Sequence, residues 1–179
     1  VNITSNSVGL NNYSTNLLNM KNNKSINKNI NIQVSYKSAL EEKKISEEED
    51  AILYELYKSD HSLHTAFTFE ECKKAIVSFP PPTAPGSVRR AWREKWESAT
   101  PEVKKAMRSF DSVYSAFLMH NEEYNGNMPN DLNGYFKFMG TMKGYIQNHY
   151  YNVPGVSHEF YESLMNLTSG FETELMKYL

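Results

Sequence analysis

Thr68-Phe69-Glu70-Glu71-Cys72-Lys73-Lys74-Ala75-Ile76-Val77-Ser78-Phe79 opens with a capping box and then sets its apolar residues, Phe69, Cys72, Ile76 and Phe79, at intervals of 3, 4 and 3. In a capping box the threonine oxygen and the carboxylate three residues on satisfy each other's backbone donors, and a 3, 4, 3 stripe is one face of an α-helix. Pro80-Pro81-Pro82 supplies the stop. The same period governs the sequence on both sides.

Upstream, Ser46-Glu47-Glu48-Glu49 has the capping-box pattern, and Ile52/Leu56 and Leu53/Tyr57 follow at i, i+4, predicting a helix to about Lys58. Downstream, Ser87 is placed to cap a helix with the stripe Val88, Trp92, Trp96 and Ala99. Thr100-Pro101-Glu102 is a further start, with proline at the first helical position. From it Val103, Met107, Phe110, Tyr114 and Phe117 run in phase towards Tyr124, before Gly126 and Pro129. Asp131 to Tyr151 keeps Leu132, Tyr135/Phe136, Met139, Met142 and Ile146 in phase although Gly134, Gly140 and Gly144 each cost up to about 1 kcal/mol, which packing has to offset. Ser157 caps the last segment, whose stripe is Phe160, Leu164, Leu167, Phe171, Leu175 and Tyr178. Period 2 is nearly absent. The sequence therefore predicts an all-α fold, a bundle of about five helices joined by short links. Phe69, Cys72, Ile76, Phe79, Trp92, Trp96, Met107, Phe110, Phe160 and Leu164 are its candidate core.

The N-terminal texture differs. Asn occupies positions 2, 6, 11, 12, 16, 19, 22, 23, 27, 29 and 31, and residues 1–32 hold no acid and no periodic apolar face. Such a tract buries too little carbon to offset an ordering cost of about 1–2 kcal/mol per residue. The expectation is a disordered low-complexity segment over 1–45 and a helical domain over 46–179. Of the 9 Phe, 12 Tyr and 2 Trp, all but Tyr13 and Tyr36 belong to that second part. The glycosylation-type triplets at Asn2, Asn12 and Asn23 are ordinary chance matches in so Asn-rich a tract.

Composition removes several function classes. With 21 acidic and 19 basic side chains the formal charge is −2, and the single cysteine, Cys72, cannot form an internal disulfide, so stability rests on packing and a reducing compartment is expected. No apolar run approaches the roughly 18–20 residues of a membrane span. The stretch after Val1 shows no charged-then-apolar leader, which leaves localisation unreadable from composition.

Catalytic and metal patterns also fail. His158-Glu159-Phe160-Tyr161-Glu162 begins like a zinc-protease helix but carries Glu where the second imidazole belongs, and Glu-x-x-His does not occur. Asp60, His61 and His64 are better read as solvated than as ligands, and Cys72, within its apolar stripe, as a small core residue. Neither glycine-rich phosphate motif occurs. The expectation is a non-enzyme without cofactor or metal.

The suggestive stretch is Val88 to Arg108. Arg89, Arg90, Arg93, Lys95, Lys104, Lys105 and Arg108 face only Glu94, Glu97 and Glu102, a local charge of +4 that leaves −6 for the remainder. Beside them stand Trp92 and Trp96, better placed for burial than for display. Arg89, Arg93, Lys104, Lys105 and Arg108 are the candidate binding residues for an acidic partner, with arginine offering bidentate contacts. Part of this charge is also open to internal use, through Arg90/Glu94 and Arg93/Glu97 at i, i+4. Nucleic acid is disfavoured as a partner, because the negative remainder repels phosphate.

Thr68 to Phe79, the proline-and-serine link, Trp92, the helix carrying Lys104-Lys105 and Met107, and Phe160-Tyr161-x-x-Leu164 together resemble the PHIST (PRESAN) domain of Plasmodium exported proteins, over about Phe67 to Leu179. The resemblance implies a helical, non-enzymatic adaptor exported to the host erythrocyte cytoplasm or the inner face of its membrane. There it would bind the acidic cytoplasmic tail of the variant surface adhesin or a membrane-skeleton protein. The export pentamer R-x-L-x-E/Q/D is absent, since no Arg has Leu two positions on, and no Trp follows Trp96. An alternative is a small carrier of an acyl-type ligand, because Tyr54-x-x-Tyr57-Lys58 and Trp92/Trp96 faintly resemble acyl-CoA-binding proteins. The 33 residues between Lys58 and Trp92 exceed that family's compact layout.

Overall fold

A computed structural model of the chain describes residues 24–179, with side chains from Tyr36 onward. The asparagine-rich tract and the three glycosylation-type triplets lie largely or wholly outside that range. Contacts divide the chain between Glu41 and Glu42. The described residues form seven α-helices and no strand: α1 (Lys24–Ser59), α2 (His61–His64), α3 (Phe69–Ala75), α4 (Gly86–Ser98), α5 (Pro101–His120), α6 (Leu132–Tyr150) and α7 (His158–Leu175), closed by a 3-10 turn at Met176–Tyr178. The helix count exceeds the expected five because the first predicted helix is followed by the single turn α2 and because the start at Thr100-Pro101 opens a helix separate from α4.

Three of the sequence start signals act as read, and Asp131 supplies a cap of the same kind that sequence reading does not single out. Thr68 and Glu71 form a complete capping box, Thr100 accepts from the Val103 N–H at 3.4 Å, Asp131 from that of Gly134 at 2.7 Å and Ser157 from that of Phe160 at 3.2 Å. The Ser46 and Ser87 signals do not. Ser46 lies inside α1, which is helical from Lys24, so the expected start at Ser46 is corrected. Helix α4 follows Pro85 and has no side-chain cap of its own. Its first donors are satisfied by α1 instead: the Gly86 N–H donates to Ser46 Oγ at 3.2 Å and the Ser87 N–H to Glu42 Oε1 at 3.3 Å. Gly86 is needed for this approach, because a Cβ there would stand 2.4 Å from the Ser46 backbone nitrogen.

Helix α7 packs against α4, α5 and α6. The core between them is aromatic, with Phe110, Phe117, Tyr135, Phe138 and Phe171 sealed from solvent and Met139, Met142, Ile146, Leu164 and Leu175 filling the gaps. The sealed side chains of α6 are the packing that offsets its glycines, and Gly140 and Gly144 themselves meet no neighbour. Phe79 is the hub. Its ring lies 4.9–5.8 Å from those of Trp92, Phe110, Tyr114, Phe138 and Phe171, and its N–H donates to Asp111 Oδ1 at 2.8 Å. Phe79 belongs to no helix, however. Helix α3 ends at Ala75, the chain is extended at Ile76, and the 3, 4, 3 stripe outlasts the helix that it suggested.

Of the other expected core residues, Cys72, Met107, Phe110 and Leu164 are buried, while Trp92, Trp96 and Phe160 are half-buried against the core. Ile76 is half-buried and Phe69 stands apart from the core, packed on Tyr54 and Tyr57 of α1 at 5.0 and 5.8 Å.

Tyr135 is wholly buried and its hydroxyl has no protein partner among the described residues. Burial pushes the phenol well above its usual range. An unpaired buried hydroxyl costs about 1–3 kcal/mol, so Tyr135→Phe should raise the unfolding free energy by about 1 kcal/mol. Equilibrium urea unfolding measures this, and a destabilised variant would show that the hydroxyl has a partner in solution.

Candidate functional site

The arginines of α4 face α1, while cations of α5 meet the helix at Trp96, and the two sets do different work. Arg89 Nη1 meets Asp50 Oδ1 at 2.9 Å while its Nε donates to the Ala84 carbonyl at 3.0 Å. Arg93 Nη2 meets Glu49 Oε1 at 2.7 Å and its Nη1 meets Glu97 Oε1 at 3.0 Å. Arg90 contacts Glu48 and Glu49. Glu49 is only 6% exposed, and its hydrogen bond raises the pKa of Arg93 further above the ordinary arginine range. The acidic turn of α1 is thus seated on the arginine side of α4. Arg89 and Arg93, expected to face a partner, are committed to the chain's own carboxylates. Of the two expected i, i+4 pairs, Arg93/Glu97 forms and Arg90/Glu94 does not, because Glu94 instead accepts from the Tyr178 hydroxyl at 3.1 Å.

The acid run Glu47-Glu48-Glu49-Asp50 held the signal for this seating. It complements Arg89-Arg90-Arg93 in charge, but its serine and glutamates also satisfy the local capping pattern, and pairing across 39–44 residues leaves no periodic mark.

The other side is different. Trp96 is half-buried, and the Lys104 Nζ and Arg108 Cζ atoms of α5 stand 5.5 and 5.7 Å from its ring centroid. Each is within the range in which a cation is attracted to an indole face, worth about 0.5–1 kcal/mol at an exposed site. The helical start at Thr100-Pro101 turns α5 back so that residues 104 and 108, one turn apart, meet Trp96. Neither cation has a carboxylate partner among the described residues, and Lys95 and Lys105 have none either. Lys105 is set apart, lining a shallow depression with Glu102 and Glu159. Of the five expected binding residues the structure therefore brings two together, Lys104 and Arg108.

A groove lies between α1 and α4, reaching the latter at Trp92, one helical turn from Trp96. It has a volume of about 280 Å³ and is lined by Ile52, Leu53 and Leu56 of α1, Phe79 and Pro80 of the link, and Trp92. Sequence reading placed Ile52 and Leu56 on a helix stripe without seeing that they stay exposed, at 41% and 61%.

Among the described residues no group of three or more His, Cys, Asp or Glu is placed to hold a metal, and no helix is long and apolar enough to cross a membrane. The Asp60 carboxylate caps α2 through the Ser62 N–H at 3.0 Å, and the bonds to Ser62 keep its pKa below the usual carboxylate range. Cys72 is buried and unpaired. No family model matches the chain, nor does any curated protein or solved structure.

Proposed function

We propose that this chain is a non-enzymatic interaction module that holds an acidic protein segment against Trp96, Lys104 and Arg108. The carrying observation is the pair of cations held against one indole ring without carboxylate partners among the described residues, where nearby arginines are matched residue by residue. An aromatic floor with two cations suits a carboxylate-bearing segment, since charge-assisted hydrogen bonds supply attraction and the ring supplies area. The likeness of Thr68–Phe79, Trp92 and Phe160-Tyr161-x-x-Leu164 to the PHIST domain supports the same role. It extends the proposal to an adaptor in the host erythrocyte, acting on an acidic cytoplasmic tail of a surface adhesin or on the membrane skeleton.

Fluorescence anisotropy of a labelled poly-glutamate peptide tests the charge requirement directly. The Lys104→Glu/Arg108→Glu variant should bind at least about tenfold more weakly than the unaltered chain, and binding should fall between about 50 and about 300 mM salt. Both side chains lie outside the sealed core, so circular dichroism should be unchanged. Affinity that survives both the charge reversal and the salt would remove this function.

A further inference from the structure

Along the face of α4 that carries Trp92 and Trp96 the environment changes from apolar to cationic within one helical turn, about 5.4 Å. At the Trp92 end lies the groove with Phe79 and Pro80 on one side and Ile52, Leu53 and Leu56 on the other. Two guanidiniums border it, but Arg89 is matched by Asp50 and Arg93 by Glu49 and Glu97, so the groove itself offers no free charge. At the Trp96 end are Lys104 and Arg108, unmatched. The groove is slightly below the range of about 300–1,000 Å³ in which pockets enclose a small ligand. Its dimensions suit side chains of a chain lying across it.

We infer that the groove receives large apolar side chains of the same partner, so that the recognised segment is amphipathic: one or two aliphatic or aromatic anchors between α1 and α4, followed about one turn later by acidic residues over Trp96. This rests on the proposed docking of an acidic segment and adds to it the partner's second chemical requirement. Charge complementarity sets the order of the two parts, because acid placed in the groove would find its cations already occupied, and an apolar residue over Lys104 and Arg108 would cover two charges without matching them. Exposed Leu56 and Ile52 are the contacts left open for the anchors.

The full chain has two tryptophans, both on this face, so its intrinsic fluorescence reports occupation. Two synthetic peptides decide the matter, one with two leucines a helical turn apart before a run of glutamates, the other with both leucines replaced by serine. The leucine peptide should bind at least about tenfold more tightly and shift the tryptophan emission to the blue. Leu56→Asp, an exposed substitution, should abolish that advantage while leaving the serine peptide unaffected. Equal, salt-sensitive affinity for both peptides would overturn this inference alone, leaving the acidic docking intact, whereas binding of neither would overturn both. Sedimentation equilibrium supplies a separate check: a dimer that Leu56→Asp dissociates would make a second copy the occupant, and the inference would fall.

Discussion

Phe79→Ala should lower the free energy of unfolding by about 3–5 kcal/mol, the usual cost of truncating a phenylalanine that cannot be replaced by local collapse. Phe79 is 3% exposed and touches five aromatic rings drawn from α4, α5, α6 and α7. Among the aromatic pairs of the described residues, Phe79 is the ring in contact with both Trp92 and Phe138, so the void left by it opens where four helices meet. Domains of this size hold only about 5–15 kcal/mol in total. The loss is therefore a large fraction of what keeps the bundle folded. An equilibrium urea titration followed by tryptophan fluorescence measures it. Val77→Ala provides the control, since Val77 lies two residues away at 65% exposure and should change stability by less than about 0.5 kcal/mol. If both variants unfold at the same urea concentration, the hub does not hold the helices together.

Glu49→Ala should cost about 2–3 kcal/mol and release α1. Its carboxylate is almost inaccessible and bridges Arg90 and Arg93. Breaking a buried pair typically costs about 3–5 kcal/mol because the remaining charge loses its partner in a place that water reaches poorly. Here the two guanidinium side chains keep 20% and 32% of their exposure, which lowers the expected figure. Glu47→Ala, four residues from Lys43 on the solvent side of the same helix, removes a pair worth at most about 1 kcal/mol. Hydrogen exchange separates the two: amides of residues 42–56 should lose protection in the Glu49 variant and keep it in the Glu47 variant. Unchanged protection in both would show that α1 is held by something other than its acidic turn.

The sequence made the helical class legible because its apolar residues mark turns, and three start signals, Thr68, Thr100 and Ser157, stand where side-chain caps form. It misplaced the first helix because Ser46 and Glu49 satisfy a local rule while serving distant partners, Gly86 and Arg93. Capping motifs are local, whereas the acid–arginine seating spans about forty residues and leaves no spacing to read. Phe79 shows the opposite case. The helical stripe points to its burial, but the residue reaches the core from a link beyond the end of α3, since hydrophobicity constrains where a side chain ends up more than how the backbone carries it there. For the candidate surface, composition located the basic stretch between Val88 and Arg108. Sorting its cations needed coordinates, because Arg93 and Lys104 differ only in what α1 and Trp96 place beside them.

The bond from Gly86 to Ser46 joins positions 40 residues apart, and Arg93 reaches Glu49 across 44. A ribosome adding about 5–20 residues per second has therefore made the acidic turn roughly 2–9 seconds before the arginines that will claim it. The acidic turn of α1 thus waits through the synthesis of about forty further residues before the partners that fasten it exist.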